Sequence, residues 1–210
     1  MTQHRVRALP YRIGLTGNIA TGKSTVGWML VALGAEMIDA DKVAHTVIAP
    51  DGSAYGGIVE AFGPTILDSE GAIDRRALGR IVFADPAALK HLEALTHPAV
   101  IAEVNRRIAR STAPVVVVEA IKLLESGMAE DYDAVWVTTC SRATQIERLV
   151  EGRELSREHA LKRMRVQSPQ DEKIVHADVV ICTEVSLSET QAQVEAAWAD
   201  IQRMSTAQEQ

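Results

Sequence analysis

Apolar and polar positions along the chain fall into two interleaved patterns. Short apolar runs occur at Arg12–Thr16, Glu36–Asp39, Val115–Glu119, Ala134–Thr138 and Val179–Cys182. The run Val115–Val118 is β-branched and shows no polar alternation, as expected of a strand covered on both faces of a parallel sheet. Between the runs, apolar residues recur at helical spacing in Lys23–Leu33, Arg75–Phe83, Ala87–Leu95 and Pro98–Arg110, and in a last helix from about Leu187 to Met204. Five strands alternating with helices predict an α/β fold: a three-layer core built on a five-stranded parallel sheet.

Two stretches interrupt a minimal alternation. Residues 42–112 carry no strand candidate and several helical ones, and residues 142–176 form a second all-helical stretch rich in Arg. Both read as helical insertions. The predicted organisation is core in 1–41, a helical insertion in 42–112, core again in 113–141, a second helical insertion in 142–176, and the last strand and helix in 177–210. The polar tail after Met204 (STAQEQ) is expected to fray.

Composition narrows the class. The 210 residues are 47% hydrophobic, enough for a full core, and carry a net charge of −6 without long runs of one sign. That balance argues against a general nucleic-acid binder, whose affinity comes largely from Lys and Arg on phosphates. The two cysteines, Cys140 and Cys182, each follow an apolar run and read as free thiols, with no disulfide framework or metal knuckle. The opening MTQHRVRALPYR carries Arg5, Arg7 and Arg12 but no apolar signal core, and no apolar run approaches the roughly 20 residues of a spanning helix. The expectation is a cytoplasmic protein without membrane or nucleic-acid partners, acting as a monomer or small homo-oligomer.

The chemistry is densest after the first predicted strand. Gly17-Asn18-Ile19-Ala20-Thr21-Gly22-Lys23-Ser24, followed by Thr25, satisfies G-x-x-x-x-G-K-[ST] in full. Glycines let such a loop turn tightly and bring backbone N–H groups onto phosphate oxygens. Lys23 adds a point charge on the β- and γ-phosphates, and the Ser24 hydroxyl is placed to ligate Mg²⁺. The helix that follows presents its N–H groups and positive dipole end to the anion. No G-x-G-x-x-G follows the first strand, which excludes a dinucleotide fold. A regulatory GTPase needs an Asn-Lys-x-Asp segment, and neither Asn18 nor Asn105 begins one. A small-molecule kinase using ATP and Mg²⁺ remains.

Such a kinase needs a carboxylate for the acceptor hydroxyl, a metal site and positive charge over the γ-phosphate. The second strand ends at Ile38-Asp39-Ala40-Asp41, at the carboxyl edge where ligands of parallel sheets bind. Asp41 is the candidate general base. Asp39 either supports it, contacts the metal shell or, like Asp41 on the bland reading, caps the next helix. Glu119 closes the third strand and stands either near Mg²⁺ or paired to a lysine such as Lys122. Between Arg142 and Arg165, seven basic side chains (Arg142, Arg148, Arg153, Arg157, Lys162, Arg163 and Arg165) face four glutamates. Some are expected to form i,i+4 pairs, such as Glu154 and Glu158 against Arg157 and Lys162. A lid closing on ATP would use two or three of them, with Arg148 and Arg163 preferred.

These segments, in this order and spacing, resemble the dephospho-coenzyme A kinase family over nearly the whole chain. The resemblance is carried by GLTGNIATGKSTV, by MIDAD with its following helix, and by Asp74-Arg75-Arg76-Ala77-Leu78 leading to Ile81-Val82-Phe83. It continues through Leu95-Thr96-His97-Pro98, EAIKLLESG, the Arg-rich stretch ending at Gln167, and Glu172-Lys173 with Ala177-Asp178-Val179-Val180-Ile181. It implies transfer of the ATP γ-phosphate to the ribose 3′-hydroxyl of dephospho-CoA, with 42–112 as acceptor-binding domain and 142–176 as lid. Asp41 matches the family's catalytic aspartate, and Arg75, Arg76 and His97 match positions in or beside the acceptor site. Locally, His97 could instead start a helix or pack, and the two arginines could be solvated surface.

Three departures stand out. The family's D-x-P-L-L-type segment is Glu119-Ala120-Ile121-Lys122-Leu123-Leu124 here, its lid Arg before an Asp/Asn-Gly turn falls at Gly152 with Arg153 next, and its Ile-Asp-Asn is Ile181-Cys182-Thr183. The expected acceptor side is therefore Asp39, Arg75, Arg76, His97, Glu119 and Lys122. The rival readings are a kinase for another nucleotide or nucleoside-like alcohol, and a nucleotide-binding module that transfers nothing.

Overall fold

The computed structural model describes residues 10–207. Five strands, β1 (Tyr11–Thr16), β2 (Glu36–Asp39), β3 (Val115–Glu119), β4 (Ala134–Thr139) and β5 (Val179–Cys182), form one parallel sheet in the order β2-β3-β1-β4-β5. All five lie within a residue of the runs read from the sequence. Val115, Val116, Val117 and Val118 are all buried, so consecutive side chains pointing to opposite faces are both covered. On one face, α1 (Lys23–Ala32) and α9 (Leu187–Ala207) pack against each other and the sheet. There Ile13, Leu15, Val26, Leu30, Trp136 and Trp198 share one core.

β1 is the centre of the sheet, pairing with β3 at Leu15↔Glu119 and with β4 at Thr16↔Val137. The chain leaves its carboxyl end flanked by the ends of both neighbours. That is the point in a parallel sheet where strand order changes direction and backbone groups face a ligand.

The chain divides into two compact units, one of residues 1–38 with 111–210, the other of residues 39–110. The first holds the sheet and three further helices, α6 (Arg142–Glu151), α7 (Arg157–Arg165) and α8 (Gln170–Ile174). α6 and α7 pack over a small cluster of Ile146, Leu149, Ala160 and Met164, into which Ile19 of the glycine-rich loop also inserts. The ion pairs expected of Glu154 and Glu158 with Arg157 and Lys162 do not form among the described residues. Long charged side chains on a wet helix face gain little from pairing.

The second unit is helical: α2 (Ala40–Val47), α3 (Tyr55–Phe62), α4 (Arg75–Ala84) and α5 (Pro86–Arg110), with α2, α3 and α4 packing on α5. Its one departure from the prediction is α5. The expected break between Leu95 and Pro98 is absent, and one helix of 25 residues runs through Pro98. Proline removes only one intrahelical donor, leaving the Ala94 carbonyl without its usual backbone partner. Burial of Val100, Val104 and Ile108 along the later turns favours continuation over a break. α9 extends through Ala207. Arg5, Arg7 and the end of the polar tail lie outside the described residues.

Candidate active site

The glycine-rich loop follows β1 and ends at α1, as the motif requires. Gly17 has φ +148°, and a Cβ there would sit 2.4 Å from Thr138 Oγ1 and 2.6 Å from its carbonyl oxygen. Gly22, the N-cap of α1, has φ +84°. Both positions need glycine, one for close approach to β4 and one for the left-handed turn. The N-cap of α1 is Gly22, which has no side chain to cap the first turn, and a helix start of this kind suits an anion. The Lys23 ammonium is buried and donates to the carbonyls of Gly17 (2.9 Å) and Asn18 (3.1 Å), which holds it inside the curl of the loop.

The loop's middle is held from far away in sequence. The Ile19 N–H donates to Gln167 Oε1 (2.9 Å), and Asn18 Nδ2 donates to the Ser168 carbonyl (3.0 Å). Thr21 Oγ1 donates to the Asn18 carbonyl (2.8 Å) and lies 2.7 Å from Thr138 Oγ1. Arg148 Nη1 donates to the Ala20 carbonyl (3.2 Å) and Thr183 Oγ1 (3.0 Å), and its Nη2 to the Thr183 carbonyl (2.5 Å). Thr183 Oγ1 in turn donates to the Thr21 carbonyl (2.9 Å). Ala20 adopts φ +61°, a left-handed conformation that costs a non-glycine residue energy. Its carbonyl, gripped by Arg148, helps hold it there. Cys140 Sγ lies 3.8 Å from the same carbonyl, and burial pushes its thiol pKa up. Both cysteines are free thiols.

Next to the loop, Ser24 Oγ donates to Glu119 Oε1 (2.9 Å). The hydroxyl at the start of α1 and the carboxylate ending β3 thus meet at the carboxyl edge of the sheet. This all-oxygen donor pair has the chemistry of a hard divalent cation, which takes few protein ligands and keeps water on the rest. No group of three or more His, Cys, Asp or Glu side chains forms a metal cage among the described residues. Lys122, on the loop after β3, is exposed.

The remaining sequence-designated residues lie in the 39–110 unit or on α7. Asp39 is the N-cap of α2, its carboxylate accepting the Lys42 N–H (3.0 Å) and pairing with the Lys42 ammonium (3.1 Å). Asp41 is exposed in the first turn of the same helix. Arg75 and Arg76 are exposed at the start of α4, where Asp74 caps the Arg76 N–H (2.8 Å). Hydrogen bonds from the Arg76 and Ala77 N–H groups hold the Asp74 carboxyl below the usual range. His97 is half-buried inside α5 rather than at a helix start. Arg163 is exposed on the last turn of α7.

Sequence reasoning missed the props of the loop. Thr138, Gln167, Ser168 and Thr183 carry no spacing signal, because their role exists only once β4, β5 and the helical insertion are folded around β1. Gln167 stood at the end of a recognised segment, but nothing in the sequence tied it to Ile19. Thr183, one of the departures from the family pattern, places a hydroxyl under the loop backbone.

The sequence model of the family described as Dephospho-CoA kinase matches residues 11–189. A dephospho-CoA kinase of Geobacter sulfurreducens is 46% identical over 190 residues, covering 89% of this chain and 96% of that protein. Among solved structures, TT1252 from Thermus thermophilus superposes with a TM-score of 0.80 at 32% identity, over 92% of this chain and 98% of that one. A dephospho-CoA kinase from Campylobacter jejuni gives a TM-score of 0.66 at 29% identity, over 92% and 98%. The chain belongs to the dephospho-CoA kinase family, ATP-dependent kinases with an alcohol acceptor that complete coenzyme A synthesis.

Proposed function

We propose that the 17–25 loop binds the phosphates of ATP and that Asp41 accepts the proton of the dephospho-CoA ribose 3′-hydroxyl as it attacks the γ-phosphorus in line. The new O–P bond forms as the bond to the ADP oxygen breaks, and the hydroxyl proton passes to the Asp41 carboxylate. The observation that carries the loop assignment is a buried Lys23 curled inside a loop whose next residue, Ser24, is hydrogen-bonded to the β3 carboxylate. The cradle is the whole Gly17–Thr25 segment. Backbone N–H groups of Gly17, Asn18, Ala20 and Gly22, with Ser24 and Thr25 at the helix start, face the phosphates. The Ile19 and Thr21 N–H groups, bonded to Gln167 and the Asn18 carbonyl, hold the loop's shape. Lys23 stabilises charge on the transferring group.

Ser24, hydrogen-bonded to Glu119, would hold Mg²⁺, which would supply positive charge for the transferring phosphoryl group. Arg148 supplies positive charge from the flank of the loop it grips, and the exposed Arg163 supplies it from α7. On the acceptor side, Arg75 and Arg76 on α4 and Lys122 after β3 offer cations to the acceptor's phosphates, joined by His97 on α5 and Asp39 at the start of α2. Two free thiols favour a reducing compartment, so we place the reaction in the cytoplasm, carried out by a monomer or small homo-oligomer.

The test is acceptor-dependent ADP release by the purified chain with Mg²⁺. Dephospho-CoA should drive turnover far above the rate without acceptor. Robust release with another nucleoside-like alcohol, but none with dephospho-CoA, would overturn the acceptor assignment. ATP binding without release for any acceptor would favour a binding module.

A further inference from the structure

Lys173 lies on α8 with its side chain 2% exposed, one of the largest fully buried side chains of the protein. Its ammonium donates to the Ile121 carbonyl (2.9 Å) and to Glu125 Oε1 (2.7 Å). Both acceptors belong to the segment after β3. The Ile121 carbonyl is a shared point, since Thr16 Oγ1, on the last residue of β1, also donates to it (3.2 Å). One residue earlier, the Ala120 N–H donates to the Leu15 carbonyl (3.0 Å). The segment is thus fastened on one side to the strand that launches the phosphate loop and on the other to α8.

Burying an ammonium is a costly way to fill space. Replacing a buried ion pair by apolar side chains of similar volume is often neutral or stabilising, so the pair is weak evidence for stability as such. A directional donor is different: it sets the position of a carbonyl and a carboxylate on a segment without regular structure. Glu119 stands two residues before Ile121 and Lys122 one after it. On the other side, α8 directly follows Gln167 and Ser168, which hold the Ile19 N–H and the Asn18 amide. Lys173 therefore joins the end of the helical insertion to both margins of the site.

We propose that Lys173 is a positioning residue for phosphoryl transfer, fixing the segment after β3 so that Glu119 and Lys122 keep their places. This rests on the assignment of Glu119 to the metal and Lys122 to the acceptor. Lys173 touches neither substrate; it acts through Ile121 and Glu125.

The test is steady-state kinetics of full-length Lys173→Met with ATP, dephospho-CoA and Mg²⁺ varied in turn, beside its melting temperature. Met keeps the length and removes the donor. The expected result is a KM for dephospho-CoA and a half-saturating Mg²⁺ each raised about tenfold, on the scale of one charge-assisted hydrogen bond. The KM for ATP should stay within about twofold. The melting temperature should fall because Glu125 loses its buried partner but stay above the assay temperature, and Lys173→Arg should recover most of the kinetic loss. Unchanged kinetics, or a fall in kcat alone that tracks lost folded protein, would overturn the proposal. Should Lys173→Met fail to fold, Glu125→Gln removes the charge from the exposed partner, and the same pattern at smaller amplitude is required. Glu119→Gln and Lys122→Ala run in parallel. If they shift the Mg²⁺ and acceptor dependences while Lys173→Met does not, only the positioning inference fails. If they are silent, the assignment beneath it fails and takes the inference with it.

Discussion

In the phosphate loop, Gln167 reaches Ile19 across 148 positions of sequence, Ser168 reaches Asn18 across 150, and Thr183 reaches Thr21 across 162. In the 39–110 unit the named side-chain hydrogen bonds are short-range. Asp39, Asp68, Asp74 and Asp85 each accept a backbone N–H two to four residues on. Glu103 takes Arg106 and Arg107 one turn later, and Tyr55 to Gly71, spanning 16 positions, is the longest of them. A capped helix needs only its neighbours in sequence. The loop meets its Gly17 and Asn18 carbonyls internally through Lys23 and Thr21. Its Ala20 and Thr21 carbonyls, however, take donors from Arg148 and Thr183, and its Ile19 N–H and Asn18 amide take acceptors from Gln167 and Ser168, all on elements that fold around it. The contrast teaches that motif and support are separable: the glycines and Lys23 are local, whereas the conformation they need is a tertiary product.

The largest effect should come from the locally built unit, which tests whether short-range construction means a merely structural role. Asp41→Asn should lower kcat by roughly 10²–10⁴-fold, the usual span for general acid–base catalysis, with ATP affinity and melting temperature unchanged. Near-normal turnover would confine the chemistry to the sheet unit.

Arg148→Ala should come next, because it removes a long-range grip. It leaves the Ala20 and Thr183 carbonyls without that donor, and a charge-assisted bond of this kind is worth about 1.5–3 kcal/mol. The expected outcome is a KM for ATP raised about tenfold or more, with the KM for dephospho-CoA little changed. Equal effects on both substrates would show that the grip is general scaffolding rather than support for the loop.

The smallest effect belongs to a local cluster. Bonds from Arg106 and Arg107 pull the Glu103 carboxyl down from 4.5 to about 2. A carboxyl depressed on folding contributes stability above its unfolded value and loses it as pH falls toward the folded one. Melting temperature should therefore decline between about pH 4.5 and 2 less steeply in Glu103→Gln than in the parent. Its arginine partners are exposed and solvent screens the pairs, so the difference should be small, and turnover at neutral pH should be unaffected. A large loss of activity would break the separation between local scaffold and site.

Much of this was legible before folding. Val115–Val118 declared a strand buried on both faces, because no polar residue interrupts it. Gly17, Gly22, Lys23 and Ser24 declared a phosphate loop, because that chemistry depends on residue type at fixed spacing. The two helices expected on either side of His97 proved to be one. Local rules set the proline's missing donor against helix, but the packing of Val100, Val104 and Ile108 outweighs it. Lys173 stood in the sequence only as part of a segment shared with the family, since nothing in its neighbours says that its ammonium is buried on the Ile121 carbonyl.

By itself, then, the sequence determined the strands, the motif and the order of segments that marks the family. These depend on periodicities and residue types that act over a few positions. Tertiary structure alone decided that Thr138, Gln167 and Thr183 hold the loop, that Ser24 meets Glu119, and that Lys173 lies beneath the segment after β3. Each is a hydrogen bond between residues 52 to 162 positions apart. The parallel sheet, by bringing the carboxyl ends of β1, β3, β4 and β5 together, and the helical insertion that carries Gln167 and Lys173 make them neighbours.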